Sequence, residues 1–192
     1  SSNILKIDIL NNILYKNYAL IYLNCERSKK TAKKVFFLSI QFSDIIMNIK
    51  ENIKTLIIKK PLKLDCGQTI NDFPLAYETY GSLNKNKDNA ILVFHALTGD
   101  QFVTNINPIT KKDGWWKHAV GSGKALDTNK YFIICANVLG GCMGSFGPSS
   151  LNTKTGKSYG NDFPVITIND MVNAQYFLLK HFKIEKLFCV TG

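Results

Sequence analysis

The sequence predicts an α/β fold, a mostly parallel sheet flanked by helices. Three observations predict it. Residues 90–94, 131–135 and 186–190 are short unbroken apolar runs, as expected of strands buried on both faces. Thr167 followed by Asp170 has the spacing of a helix N-terminal cap. Beyond it, Met171, Ala174, Leu178 and Phe182 recur on one helical face, which predicts a helix over 168–181. Strands that alternate with helical segments pack as a sheet with parallel core strands.

The remaining elements follow in order. Residues 57–65 read as a strand, with Pro61 marking an edge or a bulge. Gly67-Gln68 is a turn signal, and residues 75–80 alternate as a second strand. A polar turn over 81–89 leads into the third strand at 90–94. A loop and a helix are expected next, through Trp115, Trp116 and Lys124, before the fourth strand at 131–135.

Composition divides the 192 residues in two. Residues 1–60 contain no Gly and no Pro; all 13 Gly and all 5 Pro lie in 61–192. Turns draw on those residues, so 1–46 reads as an atypical basic leader, not native or disordered, ahead of a domain over 47–192. Met47 is the first methionine and one candidate for the natural start. The other reading of the leader is a transit peptide, although the segment lacks the expected Arg and Ser richness. Its apolar stretches at 18–23 and 35–40 are too short to span a bilayer, so no membrane partner is expected.

The net charge of +10 splits as +7 over residues 1–60 and +3 over 61–192. The near balance of the second part, without a groove-reading or stacking motif, argues against nucleic acid as a partner. The five cysteines include no C-x-x-C pair, which suits a reducing cytosol and a cytoplasmic protein. His95, His118 and His181 show no ligand-like spacing with them, so no metal is expected.

Three segments have chemical content. His95-Ala96-Leu97-Thr98-Gly99-Asp100 follows the third strand, where a small-residue loop can aim backbone N–H groups into a cleft and stabilise an oxyanion. Residues 137–150 hold four glycines between Gly140 and Gly147, which read as a rigid loop packed under a site; no Walker pattern is present. Val190-Thr191-Gly192 ends the fifth strand in a glycine, as a strand leading into a G-x-S-x-G elbow would.

These segments resemble the homoserine O-acetyltransferase family. Residues 74–81, 95–100, Gly114-Trp115-Trp116, 137–150 and 159–164 look like that family's successive signatures, in its order and at its spacings, and together they cover about 57–192. The resemblance implies the N-terminal portion of an α/β-hydrolase fold, incomplete at residue 192. It implies acetyl transfer from acetyl-CoA, a co-substrate rather than a bound cofactor, to L-homoserine in methionine biosynthesis, by a full-length protein that forms a homodimer. It places the Leu97 backbone N–H in the oxyanion hole and Thr98 against the substrate. The serine, aspartate and histidine of the triad would all fall past Gly192, so Ser145, Ser149 and Ser150 are not nucleophiles and His95 orders a loop. No residue is assigned to hold the CoA. Competing readings are transfer of succinyl groups, serine as acceptor, an esterase of the same fold, or a non-catalytic binding module. The chain by itself is expected to be inactive, with an exposed apolar strand at its last edge.

Overall fold

The computed structural model describes residues 53–192. The leader over 1–46 and the candidate start at Met47 lie outside the described residues. Five strands build one sheet: β1 Thr55–Ile58, β2 Phe73–Tyr80, β3 Ala90–Val93, β4 Phe132–Ala136 and β5 Cys189–Thr191. Helix α1, Ile168–Phe182, joins β4 to β5. The sheet order is β1-β2-β4-β3-β5. β3 pairs with β4 and β5 in parallel, with Val93 opposite Cys135 and Thr191. β2 alone runs the other way, antiparallel to both β1 and β4.

The unbroken apolar runs are explained by cover on both faces. Leu92, Ile134 and Leu75 face a cluster that includes Ala174 and Leu178 of α1. Ile91, Val93, Ile133 and Cys135 face Val103 and Val120, with Trp116 and Leu126 packed around them. Only β5 departs from the pattern. Phe188, just before it, and Val190 are 57% and 56% exposed, so residues 186–190 lack the two-faced cover expected of that run, and the strand, confined to 189–191, forms the open apolar edge expected at the end of this chain.

α1 begins where the cap spacing places it. Thr167 accepts from Asp170 N, and the Asp170 carboxylate accepts from Thr167 N at 2.9 Å, a reciprocal capping box. Asp170 is buried and also accepts from Asp65 N at 3.0 Å. Asp65 in turn accepts from the Thr167 hydroxyl and the Asn169 amide, which together hold its carboxyl below the usual range. The helix start is thereby tied to the turn at Asp65-Cys66. The helix closes without a glycine: Lys183 adopts φ 55° and donates to the last carbonyls.

Two expectations need correction. The strand over 57–65 is divided at Pro61: β1 ends at Ile58, and Leu62–Lys63 folds back on Thr69–Ile70 as a short hairpin. Proline has no N–H for the ladder and breaks the run there. No helix forms through Trp115, Trp116 and Lys124. The segment makes turns, with Trp116 N donating to Val103 O, and a two-residue parallel ladder between Val120–Gly121 and Leu126–Asp127. Gly114 explains part of this. A Cβ there would lie 2.4 Å from the backbone of Thr104, so the chain passes where a helix with side chains could not. Gly123 at φ 69° is a second departure from helical backbone. Among the described residues, no helix is long and apolar enough to cross a membrane.

Candidate active site

Parallel strands bring their carboxyl ends to one edge of a sheet, and loops leaving that edge form a cleft. Here the loops after β3 and β4 leave it together, and β5 ends beside them. Phe94 N donates to Thr191 O at 2.8 Å, so the chain turns into residues 95–100 directly against the end of β5. A Cβ at Gly192 would lie 2.5 Å from Phe94 O, which leaves room only for glycine.

The loop after β3 is built around His95. Its ring is buried and lies between two loops. Nδ1 is 2.7 Å from Ala96 O, and Nε2 accepts from Val138 N at 3.2 Å and faces the Asn137 amide at 3.5 Å. Nε2 accepts, so the neutral ring carries its proton on Nδ1 and donates to Ala96 O. Gly99 N donates to that same carbonyl at 2.7 Å. Leu97 projects a side chain 78% exposed, and no acceptor for its N–H lies among the described residues. Thr98 is exposed beside it.

The glycine-rich loop is a scaffold. Asn137 donates to Ala76 O through its backbone and accepts from Met143 N through its side chain. Ser145 is buried; its hydroxyl donates to Asn137 O at 2.5 Å and accepts from Ala76 N at 3.0 Å. Gly140 N reaches Phe146 O, and Phe146 N reaches Pro74 O. This serine is consumed in structure. Ser145→Ala is expected to lower stability by about 1–3 kcal/mol, because Ala76 N loses its partner. Urea denaturation checks it; an unchanged midpoint would contradict the bonds described here.

Cysteine chemistry is equally disfavoured. Burial, then the Asp100 charge, pushes the Cys135 thiol up to about 12. Cys142 is raised by the same two causes in the same order. Neither is a thiolate near neutral pH. Trp116 packs in the core, whereas Trp115 donates its indole N–H to Asp100 O at 2.9 Å.

A set of buried polar groups that sequence pattern does not single out supports both loops. The Tyr80 hydroxyl donates to Gln101 O and accepts from Val103 N; its burial raises its pKa. Gln101 donates to Met143 O, while its Oε1 has no partner among the described residues. Asn107 bridges Asp100 and the turn at Ile109-Thr110. Only the alternation of β2 hints at any of these, by turning Tyr80 inward.

A 1-2-4-3-5 sheet with only its second strand reversed, and a donor loop at the carboxyl edge beside β5, is the architecture of an α/β-hydrolase-fold enzyme. No family model matches the chain. Its relatives narrow the likeness. The chain is 76% identical over 146 residues to a homoserine O-acetyltransferase of Pelagibacter ubique, a match that covers 76% of this chain and 39% of that protein. It is 62% identical over 133 residues to one of Mesorhizobium japonicum, covering 69% and 34%. Among solved structures, homoserine O-acetyltransferase from Bacillus anthracis superposes with TM-score 0.66 at 35% identity, over 72% of this chain and 39% of that one. Esterase E22 superposes with the same TM-score at 33% identity and the same coverage. The chain is thus a homologue of the homoserine O-acetyltransferases, and it spans between about a third and two fifths of their length.

Proposed function

We propose that this chain supplies the oxyanion side of a homoserine O-acetyltransferase active site. The observation that carries the proposal is the Leu97 N–H at the carboxyl edge, three residues beyond the contact between β3 and β5, with no acceptor among the described residues. A serine hydroxyl, from sequence beyond this chain, would attack the thioester carbonyl of acetyl-CoA. As the carbonyl carbon becomes tetrahedral its oxygen takes on negative charge, and Leu97 N–H donates to it. The carbon–sulfur bond breaks and CoA leaves as the thiol, taking up the serine's proton through a general base. The hydroxyl of L-homoserine then attacks the acetyl-serine through a second oxyanion in the same place, giving O-acetylhomoserine and free serine. Thr98, exposed at the loop tip, contacts the acceptor. The full-length protein acts as a cytoplasmic homodimer in methionine biosynthesis.

The test is an assay of the full-length gene product, with CoA thiol release measured as L-homoserine is varied. Release that saturates with homoserine, and falls away with L-serine or with succinyl-CoA, supports the reading. Release that ignores the acceptor sinks it. An esterase is the second reading, since esterase E22 superposes as well as the acetyltransferase does. Turnover of simple acetyl esters without stimulation by homoserine would favour it.

A further inference from the structure

We infer that His95 is a positioning residue that holds the Ala96–Leu97 peptide in the orientation the oxyanion requires, an inference that rests on the acyl-transfer reading above. A trans peptide is planar, and its C=O and N–H point in opposite directions. No cis peptide occurs among the described residues. Fixing the Ala96 carbonyl therefore fixes the Leu97 N–H. That carbonyl is held twice, by His95 Nδ1 at 2.7 Å and by Gly99 N at 2.7 Å. The N–H of the same peptide therefore points away from them, where no acceptor lies among the described residues.

The histidine is itself held. Val138 N donates to Nε2, and the Asn137 amide faces the same atom. These two residues begin the glycine-rich loop, so the loop after β4 selects the His95 tautomer that the loop after β3 needs. Without the Nδ1 donor, the Ala96 carbonyl keeps only one partner, and rotation of the peptide would turn a carbonyl oxygen toward the developing anion. Gly99 guards the same arrangement. A Cβ there would stand 3.1 Å from His95 Cβ and 3.2 Å from Ala96 O, pressing on the bonded pair.

The geometry separates the variants. Asparagine places its amide nitrogen where Nδ1 sits and keeps the donor to Ala96 O; leucine keeps bulk and loses it. In the full-length protein, His95→Leu is expected to lower kcat by about 10²–10³-fold, the usual effect of losing one oxyanion donor, with KM for acetyl-CoA little changed. His95→Asn should recover at least about tenfold of that loss, and Gly99→Ala should lower kcat in the same way. A folded His95→Leu enzyme with undiminished kcat, a defect confined to KM, or an asparagine variant no better than leucine would overturn the inference. Imidazole ¹⁵N shifts of wild-type protein give a reading that needs no activity: a proton on Nδ1 supports the inference and a proton on Nε2 refutes it. If the wild-type enzyme ignores homoserine but hydrolyses acetyl esters, the acceptor assignment fails, and the same variants scored on ester hydrolysis still decide the role of His95.

Discussion

Replacing Leu97 with proline in the full-length protein is expected to lower kcat by about 10²–10³-fold, since proline deletes the N–H proposed above as an oxyanion donor. The exposed side chain is not the issue. Leu97→Ala keeps the N–H, so the loss with proline should be far the larger of the two. The effect should fall on kcat, because the donor acts where charge develops and not where substrate first binds. Steady-state rates for both variants, with far-ultraviolet circular dichroism to establish folding, decide it. Equal losses in the two variants would move the function of this loop from its backbone to its side chains.

The second large effect is on stability. Gly81 follows β2 at φ +76°, and a Cβ there would lie 2.2 Å from Tyr131 O and 2.6 Å from Thr128 O. Both contacts are backbone, so no side chain can rotate away. Left-handed backbone costs a non-glycine residue about 1–2 kcal/mol, and overpacking adds about 1–3 kcal/mol, so Gly81→Ala is expected to destabilise by about 2–5 kcal/mol. The strain bears on the entry to β4, whose residues Ile133 and Ile134 pair with Tyr80 and Thr79. Urea denaturation of the full-length protein measures it; a change below about 0.5 kcal/mol, the range of neutral surface substitutions, would contradict the packing described here.

Much of this fold was legible because each element carried its own signal. β3 and β4 are apolar at every position because both faces are covered, and α1 announced itself through Thr167 and Asp170. The helix expected near Trp115 does not form, for a physical reason. Trp116, Val120 and Leu126 do pack on the sheet, but from turns whose glycines admit close backbone approach, and apolar spacing alone does not distinguish the two. Likewise the division at Pro61 depends on a hairpin that brings Leu62 to Ile70, a pairing no local pattern encodes. At the site, the loop after β3 could be placed from its position behind a strand, and His95 could be given an ordering role. What His95 orders was not readable, because it depends on Val138 approaching from 43 positions away. Gln101 and Asn107 were silent for the same reason.

The pairing of β3 also has a consequence for biosynthesis. Ile91 lies opposite Cys189, so 98 positions separate the two halves of that ladder. A ribosome adding about 5–20 residues each second leaves one edge of β3 without its neighbour for roughly 5–20 s. During that interval the nascent chain displays an unpaired apolar strand, a natural target for chaperones that shield such edges.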